Sequence, residues 1–301
     1  MTTRRFELGE RPFDLRLTWR LSALWGAETW RASDTDGAWF ARRTSEGIGT
    51  VCVRHRGDHL EAEGWGDGAE RALDEVPALV GLEDAGVADV PDAHPLIREI
   101  KKRMAGYRMG RTNDVYSQMI AVAIAQKVTG KNSKDALRAI ARRWGEEAPG
   151  PRRGLYVLPE PRALANTPYY DFHPLNVERH RADLLKRLAS RATALQRAVK
   201  MSHAEANEHL LKFRGVGPWT AGVVMGSALG DPDAIPVGDY HLPNVITFNL
   251  AGEPRGTDER MLELLEPYRG QRGRVVRMLK TGGTAPPKWG PRSSVRDIRN
   301  S

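Results

Sequence analysis

A Gly-Val-Gly-Pro step at residues 215–218 separates two segments that both read as helix, and a chain can turn such a corner in few ways. On its left, "MSHAEANEHLLKF" offers Ser202 as a helix cap with Glu205 three residues on, the spacing of a capping box. On its right, Pro218 suits a first helical turn, where its missing N–H costs nothing. Gly215 and Gly217 permit backbone conformations that other residues resist. The pattern predicts a tight corner with backbone N–H groups exposed at the start of the second helix. Such groups, helped by the helix dipole, seat a phosphate. An ordinary αα corner is written the same way, and this stretch alone does not separate the two.

The charge distribution points the same way as the corner. The net charge is +8, but residues 1–100 hold 12 Arg and no Lys against 19 Asp plus Glu, a balance of −7. The remainder holds 34 basic and 19 acidic residues, a balance of +15. A segment that basic and otherwise globular is what a polyanion-binding domain looks like, although basic residues also simply solvate helices.

With 301 residues the chain exceeds what one core usually organises, and 40% hydrophobic content supplies more than one. No run of about 18 apolar residues suggests a membrane span. "MTTRRFELGERPFDL" lacks the apolar core of a secretion signal. The single cysteine, Cys52, excludes an internal disulfide, a four-cysteine zinc site and a cysteine-held iron–sulfur cluster. A reducing cytoplasm is the expected compartment, near the nucleoid if the partner is DNA. His55, His59, His94, His173, His180, His203 and His209 show no metal-ligand spacing, so no side-chain metal site and no cofactor are expected.

Three regions follow along the chain. From Phe13 to about Trp65, "FDLRLTWRL", "TWRAS", "AWFARRT", "GTVCVRHR" and "HLEAEGW" alternate apolar with polar, which predicts a half-exposed antiparallel sheet. A short helix around "GAERALDEVPALVGL" closes it, and "DAGVADVPDAHP" is a loop that sets a boundary near residue 92. From 93 to 280 apolar residues recur every three or four positions, and "SQMIAVAIAQ" is apolar nearly all round, as a core helix is. Residues 281–301 have the Gly, Pro and charge content of a basic, flexible tail. The fold class is α+β: an N-terminal antiparallel sheet domain, then an all-α domain.

After Pro218 the helix "WTAGVVMGSALG" ends near Gly230, and "DPDAIPVGDYHLPNVI" brings Asp239 in just before Tyr240 and His241. Trp219 and Asp239 are 20 residues apart, enough for one helix out and a loop back, so the two can share a pocket mouth. An aspartate in a Gly/Pro loop is otherwise a cap or turn residue.

"LLKFRGVGPWTAGVV" followed by "IPVGDYHL" resembles the helix-hairpin-helix, Gly/Pro-rich loop and aspartate signature of base-excision DNA glycosylases, within them most closely 3-methyladenine DNA glycosylase II. The "YSQMIAVAIAQKVT" helix and "LEPYRGQRGRVVRML" stand where that family has its core and final helices. The resemblance implies a monomer that flips a damaged base out of double-stranded DNA and hydrolyses its N-glycosidic bond, with alkylated purines as the substrate class.

Carried onto this sequence, the resemblance makes Asp239 the catalytic carboxylate. Arg214, Gly215, Val216, Gly217 and Thr220 form the DNA-binding hairpin, whose carbonyls in this family also hold a monovalent cation. Trp219 stands where bifunctional relatives carry a lysine, which implies no strand cleavage. The base pocket is expected from Trp219 and Tyr240, with Tyr169, Tyr170 and Phe172 of "YYDFHPL" added, although that loop equally reads as an anchor for the next helix. The residue that fills the gap left by the flipped base is expected at Lys127 or Val128. Val223 departs from the tyrosine that 3-methyladenine enzymes place toward the base. Two alternatives stay open: a non-catalytic DNA-binding repair accessory protein, and a glycosylase for an oxidised or deaminated base.

Overall fold

The computed structural model describes residues 1–21, 29–33, 36–287 and 297. Strand β1 (Thr2–Glu7) and helix α1 (Leu15–Leu21) open the chain, followed by β2 (Trp30–Ser33), β3 (Gly37–Thr44), β4 (Gly47–Arg56) and β5 (His59–Trp65). The five strands form one antiparallel sheet in the order β1-β5-β4-β3-β2. Its register runs from Thr44↔Gly47 to Ala38↔Val53 in one hairpin and from Arg56↔His59 to Thr50↔Trp65 in the next. The α+β class is as expected.

Two details of the sheet differ from the alternation in the sequence. "FDLRLTWRL" is a helix, not a strand: Asp14 caps it by accepting from Leu17 N at 2.9 Å. Leu15, Thr18 and Trp19 are its buried residues, a helical spacing hidden behind alternating leucines. The strand at that edge is β1, whose "TTRRFE" carries one apolar residue, Phe6, and whose Arg4 pairs with Glu70 and Asp74. Nor is the sheet half-exposed. Val51, Cys52 and Val53 are all fully buried, so both faces are covered at the centre. Helix α1, α2 (Ala69–Asp74) and α3 (Val76–Leu79) cover one face. The other carries Trp39, Ala41 and Cys52 and lies under Ala148, Leu155 and Val157. Burial pushes the Cys52 thiol up to about 12, so it is an inert packing residue.

The helical part begins with α4 (Pro95–Arg103), α5 (Val115–Ala125) and α6 (Gly130–Trp144). A small hairpin, β6 (Glu146–Glu147) and β7 (Tyr156–Val157), supplies the cover of the sheet just described. Then come α7 (Pro161–Asn166), α8 (Tyr169–Phe172), α9 (Arg179–Ala189), α10 (Ala192–Gln196), α11 (His203–Leu211), α12 (Pro218–Ala228), α13 (Leu242–Ala251), α14 (Asp258–Leu265) and α15 (Arg272–Gly282). Of the tail expected over 281–301, residues 288–296 and 298–301 lie outside the described residues.

The helices pack around two apolar cores. One surrounds α5, whose residues from Met119 to Ile124 are almost without exposure, and takes in α6, α9, α11 and α12. The other joins α4, α13, α14 and α15. The segment between α12 and α13 crosses from one core to the other, and Asp239 lies on that crossing.

An ion pair, fully buried at its arginine end, ties the loop at Asp84 to the last helix. Asp84 accepts from Arg274 Nη1 and Nη2, each at 2.7 Å, and from the backbone N–H groups of Met109 (2.9 Å) and Gly86 (3.0 Å). Arg274 is 1% exposed. Burial alone would push the Asp84 carboxyl up, but the Arg274 pair and the two N–H donors outweigh it and hold it below the usual range.

Candidate active site

The corner at 212–217 forms as the sequence dictates. Ser202 caps α11 in a full capping box with Glu205, and Pro218 opens α12. Gly215 sits at φ +93, a conformation that favours glycine, and a Cβ there would press on the terminal methyl of Leu184 at 2.6 Å. Gly217 is different. It caps α12 in extended conformation (φ −100, ψ 179), and a Cβ built on it meets nothing within 4 Å. Ala221 N donates to Gly217 O at 2.9 Å, closing the first turn. Among the described residues no hydrogen bond occupies the N–H of Gly217 or of Thr220. These are the donors a helix start leaves open.

Not every residue expected on the hairpin faces outward. Val216 is buried in the α5 core, and its N–H is spent on Phe213 O at 2.9 Å, so it offers no donor to a ligand. The Thr220 side chain is also buried; its hydroxyl accepts from Gln126 Nε2 at 2.9 Å. Only the Thr220 backbone N–H belongs to the open end. Arg214 is exposed.

Asp239 is held by three donors. Its Oδ1 accepts from His241 N and Leu242 N, both at 2.9 Å, which anchors it at the start of α13. Its Oδ2 accepts from the Trp219 indole N–H at 3.0 Å. The turn-residue reading of this aspartate holds for Oδ1, which caps, while Oδ2 faces Trp219. A carboxylate oxygen has two lone pairs, so Oδ1 is saturated while Oδ2 keeps one for a ligand.

Close backbone approach explains how α12 reaches this loop. Gly222, one turn after Trp219, lies against Ile235 and Pro236, where a Cβ would come 2.3 Å from Ile235 O. The loop is pinned from behind as well. Asp233 accepts from Gly270 N (2.8 Å), Arg272 N (3.0 Å) and the Arg272 guanidinium, and Asp258 Oδ2 accepts from Gly238 N at 3.0 Å. Gly238 itself sits at φ +90.

The expected pocket aromatics scatter. Tyr240, beside Asp239, is 86% exposed, its ring edge-on to His241 at 4.8 Å. Tyr170 is 72% exposed. Tyr169 is partly buried against the α5 core, with the Arg179 guanidinium over its ring. Phe172 has no surface at all: it packs edge-on to Trp144 at 4.9 Å and cannot line a base pocket. The "YYDF" segment is α8, packed on α9, so its anchoring reading holds for Phe172. Val223 is buried in the α5 core.

Lys127 and Val128 fall in the connection between α5 and α6. Lys127 is exposed at φ +55, a left-handed conformation that costs a non-glycine residue about 1–3 kcal/mol. Gln126, absent from the expected site, joins this connection to the hairpin: its Nε2 donates to Gly215 O at 3.0 Å as well as to Thr220 Oγ1. Its only signal in the sequence is a polar residue directly after the apolar run Met119–Ala125.

Among the described residues no group of three or more His, Cys, Asp or Glu side chains could hold a metal ion. The hairpin oxygens are neutral backbone carbonyls. Phe213 O and Gly215 O each accept one hydrogen bond and retain a second lone pair. No described helix is long and apolar enough to cross a membrane.

With this geometry in place, the comparisons with known proteins fit it. No family model matches the chain. It is 26% identical over 161 residues to YfjP of Bacillus subtilis (51% of this chain, 55% of the relative). It is 20% identical over 185 residues to a DNA-3-methyladenine glycosylase of the same organism (60% and 61%). The chain thus spans little more than half the length of these relatives. Its fold matches a 3-methyladenine DNA glycosylase from Archaeoglobus fulgidus with a TM-score of 0.77, at 20% identity, over 92% of this chain and 96% of that one. A Clostridium acetobutylicum 8-oxoguanine glycosylase/lyase bound to double-stranded DNA matches with a TM-score of 0.70, at 18% identity, over 89% and 91%. The chain has the fold of the helix-hairpin-helix DNA glycosylases, and in sequence it is similar to the 3-methyladenine glycosylases among them.

Proposed function

We propose that this protein is a monofunctional DNA glycosylase that flips an alkylated purine out of duplex DNA and hydrolyses its N-glycosidic bond. The observation that carries the reading is Asp239: a carboxylate oriented by three N–H donors, with one lone pair of Oδ2 open, linked by a hydrogen bond to the first turn of the helix that follows the hairpin. The open N–H groups of Gly217 and Thr220 grip a backbone phosphate, and the basic residues of the helical part add long-range attraction. As the bond to the base lengthens, positive charge builds on the sugar, and Oδ2 stabilises it or orients the attacking water. An alkylated purine already bears positive charge and leaves without strong acid assistance. Exposed Tyr240 offers a π-face beside Asp239 to such an electron-poor base. Hairpin carbonyls would hold a monovalent cation, whose charge would strengthen the grip on phosphate.

Trp219 has no amine to attack the sugar, so no Schiff base forms at that position. This separates the proposal from the glycosylase/lyase reading that the Clostridium acetobutylicum neighbour's name would suggest. The accessory-protein alternative needs the hairpin but has no use for the oriented carboxylate. The test is a panel of duplexes, each with one lesion, assayed for abasic-site formation. Release of alkylated purines is expected, and no release from any lesion would transfer the chain to the accessory class.

Binding gives a second expectation. The logarithm of the affinity for duplex should fall linearly with the logarithm of salt concentration, by about 0.9 for each phosphate contacted. Gly217→Asp places its side chain in open space, so the fold should survive. A charge about 4 Å from a phosphate costs about 1–4 kcal/mol between water-like and surface dielectrics, so affinity at low salt should drop about tenfold or more. A Gly217→Asp protein that binds duplex as the wild type does would place the phosphate elsewhere.

A further inference from the structure

The connection between α5 and α6 is strained and fastened at the same time. Gln126 leaves α5 in extended conformation (φ −61, ψ 124), and Lys127 follows at φ +55. The other non-glycine residues with positive φ among those described are Asn113 and Asn176, and asparagine tolerates that region where lysine gains nothing locally. The strain is held from both ends. Buried Arg181 donates to Ile124 O at 3.1 Å at the close of α5, and Thr129 caps α6 by accepting from Asn132 N at 3.3 Å. Between them, Gln126 Nε2 spends its two hydrogens on Gly215 O and Thr220 Oγ1, one on either side of Gly217.

We propose that Gln126 is a positioning residue: its side-chain amide fixes the spacing between the hairpin and Lys127, so that duplex gripped at the hairpin meets Lys127 in register with the nucleotide to be extruded. The inference rests on the glycosylase reading above. Its distinctive content comes from which groups Gln126 uses. It bonds two acceptors of the hairpin, whereas a phosphate needs donors, the N–H groups of Gly217 and Thr220. Removing the amide therefore leaves the phosphate grip intact and frees Lys127 to relax from its left-handed conformation. Recognition of ordinary duplex and extrusion of a nucleotide come apart in such a variant.

Gln126→Met keeps the length and volume of the side chain without the donor. Three measurements decide the matter: melting temperature, affinity for an undamaged duplex against one with an abasic-site analogue, and the fluorescence rise of 2-aminopurine beside that analogue, which reports unstacking. Gln126→Met should bind undamaged duplex within about threefold of wild type, yet lose about tenfold or more of its preference for the abasic analogue and most of the fluorescence rise. On a substrate, kcat should fall while KM changes little. If Gln126→Met fails to fold, Gln126→Leu, which is also neutral and also lacks the donor, is read in the same way. Unchanged preference and fluorescence would overturn the inference, and so would loss of both affinities in equal proportion, the mark of a residue that merely shapes the hairpin. A wild type that binds neither duplex overturns the glycosylase reading and this inference with it; a discriminating wild type beside an equally discriminating variant overturns the inference alone.

Discussion

Asp239→Asn should lower the rate of base excision by about 10²–10³-fold, the usual cost of removing one well-placed electrostatic stabiliser from a reacting centre. Asparagine fits the same space, and its carbonyl oxygen can keep the bonds from His241 N and Leu242 N. Its amide then faces the Trp219 N–H, donor against donor, so one of the three bonds is lost together with the charge. The fold and the start of α13 should persist. Binding to lesion-containing duplex should persist or tighten, because a negative charge near the phosphates is gone. Single-turnover excision and equilibrium binding, measured on the same duplex, check both halves. Excision at the wild-type rate would remove Asp239 from the mechanism.

Asp84→Asn should destabilise the protein by about 3–5 kcal/mol, the range for breaking a buried pair and stranding its partner. The stranded charge is Arg274, which is 1% exposed and donates two of its hydrogen bonds to Asp84. The same pair makes stability depend on pH. The folded carboxyl titrates below the unfolded one, so the contribution is complete above the unfolded value of about 3.9 and is lost as pH falls through the folded value. Urea melts from pH 7 down to pH 3 should show the difference between wild type and Asp84→Asn shrinking at the acid end. A constant difference across that range would mean that Asp84 acts through its shape rather than its charge.

How much of this was legible from the residues depended on whether the signal was local. The capping box at Ser202, the glycine at Gly215 and Pro218 at the start of α12 are local chemistry, and each stands in the structure as the sequence writes it. Trp219 and Asp239 were paired by chain length and resemblance, and the structure joins them by a hydrogen bond. What the residues hid was set by distant partners. Alternating leucines disguised α1, because Asp14 as its cap outweighs a strand pattern only once Trp19 has a core to enter. Both faces of the sheet are buried because a hairpin about a hundred residues away covers the second one. Phe172 looked like a pocket aromatic until Trp144 took its ring. Gln126 carries no motif; only its two acceptors, 89 and 94 residues further along, give it a role.

The central claim is hydrolysis at the sugar without strand cleavage, and one denaturing gel tests it directly. An end-labelled duplex carrying a single alkylated purine is incubated with the wild-type protein, and half of each sample is then heated in alkali, which breaks the strand at abasic sites. The account predicts a cleaved band in the alkali-treated lanes and none in the untreated lanes, with no covalent complex when borohydride is present. Cleavage without alkali, or a borohydride-trapped adduct, would contradict it by showing an amine at work where Trp219 stands. An uncleaved strand in every lane would contradict it more deeply, leaving a protein that binds DNA through its hairpin and does no chemistry there.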